Sequence, residues 1–273
     1  MSEREVTLAA ADAYCRELTK RHYENFVVAS GLVGPALRRD LSRIYAFCRT
    51  TDDFGDESAS KDEALERLAR WRVETQALFA GETPNHPVLT ALRETIRRTG
   101  LAAQPFYDLI DANVQDQRVT SYRRWPELDA YCRLSAAPVG RMVLGVFGVT
   151  DSRAPGLSDD VCIGLQLANH AQDVKRDATI GRRYLLGDDV DALGTAGAVR
   201  ALVERARGLL DSGRQLETMV PFALRLQLRL YRRGGLAICR AIERLDYHTE
   251  ARRPTVSARE KIVILLGSYV GSA

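Results

Sequence analysis

The stretch from Leu165 to Asp177, Leu-Gln-Leu-Ala-Asn-His-Ala-Gln-Asp-Val-Lys-Arg-Asp, constrains the fold of this chain more than any other. Wound as a helix, it sets Asn169, Asp173 and Asp177 about 40° apart in succession, so they form one polar, acidic line. Leu165, Leu167, Ala168 and Val174 flank that line and are suited to packing. Gln166 and then Cys162 continue it backwards at helical spacing. An acidic line set into an apolar helix needs partners, and a metal ion is the simplest.

Most of the remaining sequence repeats with helical period, and β-branched clusters such as Val27-Val28 are too short to propose a sheet. Helices are expected over Glu5 to about Thr19, Pro35 to about Asp53, Glu63 to Phe79, His86 to Arg98, Pro105 to Gln117 and Pro126 to Tyr131. Others are expected from Ser158, from about Ala196, from Pro221 and from the Pro254/Ser257 region. The segment from His22 to Gly34 reads as less regular, Tyr122 to Trp125 as a linker, and Pro138 must kink or interrupt its helix. With no internal repeat and no long linker, the expectation is one all-α domain over residues 1–273, a helical bundle. At 45% hydrophobic residues it can bury a sizeable core.

A second acidic cluster, Asp52-Asp53-Phe54-Gly55-Asp56-Glu57, ends the Pro35 helix. Tyr45, Arg49, Asp52 and Asp56 follow at spacings of four, three and four and so share a face. Two such stripes can meet across a bundle interior. Carboxylates brought together are driven towards protonation unless a cation neutralises them. Ligation by oxygen alone suits Mg²⁺, which ordinarily keeps water and substrate phosphates as further ligands. A diphosphate substrate is the natural inference.

Arg38, Arg39, Arg49, Arg182 and Arg183 are candidates to grip it bidentately. A diphosphate neutralised by metal and arginine leaves easily. The carbocation left behind needs a dry aromatic or apolar cavity, for which Phe26, Tyr45, Phe47, Tyr131 and the small-residue run Ser135 to Gly140 are candidates. Taken singly, each feature also has a plain reading: an Asp-x-x-x-Asp pair as a solvated face, an arginine pair as surface, a tyrosine as core. His22, His86, His170 and His248 share no ligand spacing and read as structural.

Other classes are disfavoured. The formal charge of +3 gives no general basic character for nucleic acid. Neither G-x-x-x-x-G-K nor G-x-G-x-x-G occurs. The five scattered cysteines have no Cys-x-x-Cys spacing, which argues for free thiols in a reducing cytoplasm. The polar, acidic N-terminus does not read as a signal peptide, and no apolar run approaches the ~20 residues of a membrane span. Arginines 225, 229, 232, 233, 240 and 244, interleaved with leucines, leave peripheral contact with the inner face of a membrane open, although a packed helix with a solvated face explains them as well.

Several runs carry a resemblance. Ile44-Tyr45-Ala46-Phe47-Cys48-Arg49 leads into the first acidic cluster, and Tyr131-Cys132 precedes Ala137-Pro138-Val139-Gly140. Leu165 to Asp177 and Gly181-Arg182-Arg183-Tyr184-Leu185 follow in order. From about His22 to Pro254 the chain resembles the squalene/phytoene synthase family, the head-to-head prenyl synthases of the isoprenoid-synthase (terpenoid synthase) fold, whose bundle encloses a central cavity.

The resemblance implies Asp52, Asp56, Asn169, Asp173 and Asp177 as metal ligands and Arg49, Arg183 and Tyr184 as diphosphate contacts. It implies Gln166 in the cavity, with Tyr45 and Tyr131 near the reacting carbons. Within the family, His22-Tyr23-Glu24-Asn25-Phe26 with Ala29-Ser30 is most similar to the bacterial hydroxysqualene synthase branch of hopanoid biosynthesis. That branch ionises presqualene diphosphate, rearranges the cation and traps it with water. The chain departs from the branch pattern at Val27, where proline is common, and at His170-Ala171, where two aromatics are usual. Rival expectations are condensation of two farnesyl or geranylgeranyl diphosphates and a non-catalytic helical assembly factor. Oligomeric state stays open.

Overall fold

The computed structural model describes residues 7–21 and 33–270, so Phe26 and the His22 to Ser30 motif lie outside the described residues. The described chain is helical, with one isolated β-bridge between Ser121 and Arg183. It divides into two compact units, residues 1–118 with 141–150 and residues 119–140 with 151–273.

The first unit contains α1 (Leu8–Arg21), α2 (Pro35–Asp56), α3 (Lys61–Phe79), α4 (Pro87–Thr99) and α5 (Gln104–Asp116). Helix α2 is its axis and touches each of the other four. Pro35 occupies the first turn of α2, where its missing N–H costs nothing. The unit's core is aromatic: Phe47 stacks on Trp71 at 5.3 Å and meets Phe106 edge-on at 5.0 Å. All three side chains are fully buried, each contributing roughly 2–3 kcal/mol. The buried indole N–H of Trp71 donates to Thr51 Oγ1 at 2.9 Å, so the core leaves this donor satisfied.

Helix α3 starts two residues before the expected Glu63, because Ser60 caps it by accepting from the Glu63 N–H while the Glu63 carboxylate accepts from the Ala59 N–H. Helix α2 continues past the expected end at Asp53 to Asp56, carrying the acidic cluster as helix.

The second unit contains α6 (Trp125–Ser135), the first residues of α7 (Ala137–Val146), α8 (Ala154–Gln172), α9 (Val174–Thr179), α10 (Gly187–Ser212), a 3₁₀ turn (Gly213–Thr218), α11 (Phe222–Glu243) and α12 (Ala258–Val270). Helix α8 is central here and packs on α6, α10, α11 and the 3₁₀ turn. Gly164 permits the α8–α10 approach, since a Cβ there would lie 2.9 Å from Leu210 Cγ and 3.0 Å from the Ala206 carbonyl oxygen. The chain breaks between α6 and α7 at Ala136, and Pro138 sits in the first turn of α7, as its chemistry requires.

Three expected boundaries need correction. Helix α8 starts at Ala154 rather than Ser158, because Pro155 fits the first helical turn, where its missing N–H costs nothing. Helix α10 starts at Gly187 rather than near Ala196, with a kink at Gly194 (φ 70°, ψ 174°) that only glycine accepts readily. The segment Tyr122 to Trp125 is more than a linker: the carbonyls of Tyr122 and Arg123 accept from the N–H groups of Gly187 and Asp188 at 2.9 and 3.1 Å.

Two of the arginines of α11 are engaged within the unit. Arg229 and Arg232 both bind Glu217 of the 3₁₀ turn, at 2.8 and 3.0 Å, and Arg232 is buried. None of the five cysteines is paired. Among the described residues no helix is long and apolar enough to cross a membrane.

Candidate active site

The first acidic motif lies on the last turns of α2, in the first unit. Tyr45 is buried, Arg49 and Asp52 are half-buried and Asp56 is exposed. Asp52 accepts from Asn113 Nδ2 of α5 at 3.2 Å, while Gln117 Nε2 donates to the Gly55 carbonyl at 3.1 Å. Gly55 is what lets α5 come this close: a Cβ would meet Asn113 Oδ1 at 2.6 Å. Burial, with help from the charges of Asp56 and Asp53, pushes the Asp52 carboxyl up to about 6 even against the Asn113 hydrogen bond.

Arg49 turns its terminal nitrogen to Asp53 (2.5 Å) and Glu57 (2.8 Å), and its buried Nε has no hydrogen-bond partner. Part of the guanidinium is therefore already engaged. Its unspent donor is the feature an anion would satisfy.

The second motif belongs to the second unit and is not one unbroken helix, which corrects the reading of Asn169 to Asp177 as a single turn-on-turn stripe. Helix α8 ends at Gln172, and Asp173 (φ −102°, ψ 18°) stands between it and α9. The ladder nevertheless continues, with Asp173 N–H donating to the Asn169 carbonyl (2.9 Å) and Asp177 N–H to the Asp173 carbonyl (2.8 Å). The three residues thus keep helical succession through a local bend.

Arg253, which no motif singles out, takes both oxygens of Asp173 with Nε and Nη2 and reaches Gln172 Oε1 at 3.3 Å. Eighty residues separate Arg253 from Asp173, so no local spacing could reveal the pair. Gln172 also anchors that segment by donating to the Pro254 carbonyl at 2.8 Å. Burial, and next the Asp173 charge, push the Asp177 carboxyl up to about 6.

Behind this motif lies a row of rings. His170 stacks on Tyr184 at 3.7 Å, Tyr184 on Tyr131 at 5.8 Å, and Tyr131 tilts against Tyr122 at 5.4 Å. Tyr131 and Tyr184, expected for different roles, are therefore neighbours, and His170, read as structural, supplies an aromatic face beside them. Burial holds His170 neutral, down at about 3, and its Nε2 has no partner. Gln166 is fixed by donating from Nε2 to Ser135 Oγ at 2.9 Å. Arg183 is exposed, and its backbone N–H donates to the Thr120 carbonyl at 2.8 Å, leaving the guanidinium at the surface.

Within the first unit the structure thus gathers Tyr45, Arg49, Asp52 and Asp56 on one helix; within the second it gathers Asn169, Asp173, Asp177, Tyr131, Tyr184 and Gln166 around the end of α8. Residues missed by sequence reasoning are Asn113, Gln117, Tyr122 and Arg253; only Tyr122, as an aromatic in a charged linker, offered any signal.

Comparison with known proteins places the chain. The family model for squalene/phytoene synthase matches residues 19–260. The hydroxysqualene synthase of Rhodopseudomonas palustris is 33% identical over 240 aligned positions, covering 82% of this chain and 80% of that protein. Chloroplastic phytoene synthase 3 of Zea mays is 31% identical over 290 aligned positions, covering 97% of this chain and 67% of its own length. Among solved structures, squalene synthase HpnC from Alicyclobacillus acidocaldarius superposes with a TM-score of 0.83 at 42% identity, covering 88% of this chain and 95% of that one. The chain belongs to the squalene/phytoene synthase family, and it is an enzyme of the squalene synthase type on an all-α terpenoid-synthase fold.

Proposed function

We propose that this enzyme converts presqualene diphosphate to hydroxysqualene with release of diphosphate, using Mg²⁺, and that residues 1–273 work as a single catalytic domain. The observation that carries this reading is the 42% identity to squalene synthase HpnC over 88% of the chain, and it is supported by the presence of Asp52, Asp56, Asn169, Asp173 and Asp177, which the family resemblance implies as ligands.

The donor set fits a hard cation. Asp52 and Asp177 are held against their own charge by burial and by neighbouring carboxylates, and a cation relieves that in place of a proton. Among the described residues no three His, Cys, Asp or Glu side chains gather tightly enough to cage a metal alone. Mg²⁺ takes one or two carboxylates and fills its remaining positions with phosphate and water.

Asp52 and Asp56 of the first unit would act as metal ligands, and so would Asn169, Asp173 and Asp177 of the second. When bound, the metal neutralises the diphosphate and improves it as a leaving group. Arg49, through its unspent Nε, with Arg183 and Tyr184, would orient the diphosphate oxygens. The faces of Tyr45 and Tyr131 would stabilise positive charge along the hydrocarbon. Gln166, locked by Ser135, would keep its shape at the cavity wall. Water closes the sequence, its oxygen bonding to the cationic carbon and its proton leaving to solvent, so no nicotinamide is called for.

Asp52→Asn and Asp177→Asn test the ligand assignment. Each should lower diphosphate release at least about 100-fold while leaving thermal unfolding nearly unchanged. Full turnover by either variant would remove that residue from the site. The second reading, head-to-head condensation of two prenyl diphosphates, is favoured by the 97% coverage of the Zea mays phytoene synthase match. Supplying presqualene, farnesyl and geranylgeranyl diphosphates separately and identifying the extracted lipid decides between them.

A further inference from the structure

Helix α12 turns most of its large apolar side chains outward. Its inward side, against α11, keeps half-buried Ile264 beside two small residues: Ser268 is 1% exposed and donates to the Ile264 carbonyl, and Gly267 leaves room for the Arg233 guanidinium to lie across it. Its outward side is apolar. Ile262, Val263, Leu265, Leu266 and Tyr269 are 56, 68, 38, 60 and 50% exposed. Among the described residues these are five of the eleven large apolar side chains that stand in solvent, all on one 13-residue helix. At about 100° per residue, Ile262, Leu266 and Tyr269 form one line, with Val263 and Leu265 at its two margins.

Cations accompany this face along its length. Arg259 and Lys261 are exposed on α12 itself. From α11, Arg233 lies across Gly267, while Arg229, which reaches the Ser268 carbonyl at 3.5 Å, and Arg244, just past the end of α11, serve to balance acids and add no net charge. The nearby acids are already matched: Glu260 by Arg244, and Glu217 by Arg229 and Arg232. An apolar stripe between cationic margins is complementary to an anionic lipid surface. A second copy of the chain is the poorer occupant. The helix is ~20 Å long and ~10 Å wide, so one face offers on the order of 200–300 Å², against ~800 Å² per partner in a standard interface.

The geometry points to α12 as a membrane-docking element, lying in the plane of a bilayer that carries anionic headgroups, with Ile262, Leu266 and Tyr269 inserted. This differs from the arginine–leucine pattern of α11, whose arginines mainly pack or support α12. It also stands apart from the catalytic reading, since lipid binding needs no turnover.

Flotation of the full chain with vesicles of phosphatidylcholine, with and without phosphatidylglycerol, tests it. The wild-type protein should float with the phosphatidylglycerol vesicles. Ile262→Ser/Leu266→Ser should lose that binding by at least about tenfold, while Val73→Ser, at an exposed apolar site on α3, should not. A Leu266→Trp variant should show a blue-shifted emission on adding the anionic vesicles. No flotation of wild type, equal flotation with neutral vesicles, or full flotation of the double variant would overturn the proposal. So would a wild-type dimer that the double variant turns into a monomer, which would give the face to a second copy.

Discussion

Asp40 is the hub of a buried polar network whose removal should cost about 3 kcal/mol. Its side chain is 2% exposed and accepts from Thr95 Oγ1 at 2.7 Å, from Arg43 Nη1 at 3.4 Å and from Arg98. Arg43, 5% exposed, also binds Asp12 of α1 through Nε (2.8 Å) and Nη2 (3.1 Å), so the cluster ties α1, α2 and α4 together. Removing one partner of a buried charge pair ordinarily costs ~3–5 kcal/mol, because the other charge is left unpaired. Asp40→Ala belongs at the lower end of that range: Arg43 keeps Asp12 and its bond to Thr95 Oγ1 at 3.1 Å, and Arg98, 44% exposed, falls back on water. Asp12→Ala alone should cost about 2 kcal/mol for the converse reason. The double variant strands Arg43 without any carboxylate and should exceed the sum of the single losses by about 1–2 kcal/mol. Urea unfolding with an unchanged m-value is the assay. A loss below ~1 kcal/mol for Asp40→Ala, or strict additivity of the pair, would refute the claim that one desolvated arginine is shared between two acids.

His86 caps α4 by accepting the Val88 N–H on Nδ1 at 3.2 Å, which only the neutral ring can do, and burial pushes its pKa down to about 4. Its unfolded value is near 6.5, so the unfolded chain binds the extra proton between the two. The contribution is complete above pH ~6.5 and is lost as pH falls towards about 4. Discounted for partial exposure, it should reach ~2 kcal/mol, and His86→Asn, which keeps a cap, should flatten that part of the stability profile seen by denaturation at stepped pH. Arg49→Lys keeps the charge but loses the planar fork and the unspent Nε; it should weaken substrate binding by at least about tenfold in steady-state kinetics, with the melting temperature little changed.

Much of the fold was legible because the helical period is strong wherever one face is buried. Tyr45, Arg49, Asp52 and Asp56 could be placed on a common side from spacing alone, and Ser257 marks a real start, whereas the Ser60 cap was missed and the start of its helix set too late. What spacing could not show depends on distant partners. The bend at Asp173 sits where Arg253 grips its carboxylate from eighty residues away. Arg49 reads as a free phosphate ligand, but Asp53 and Glu57, one turn and two turns on, occupy its end. Helix α12 misleads for another reason. A sequence reader assigns apolar residues to the interior, and here five of them face outward while Gly267 and Ser268 lie inward beside Ile264, Gly267 leaving room for Arg233.

Hydroxysqualene formation from presqualene diphosphate can be followed most directly in water enriched in oxygen-18, with purified enzyme, Mg²⁺ and mass analysis of the extracted lipid. The expected product is an alcohol carrying one heavy oxygen, formed in step with diphosphate release and lost in Asp52→Asn and Asp177→Asn. An oxygen-free hydrocarbon, or product formed only from farnesyl or geranylgeranyl diphosphate, would contradict it.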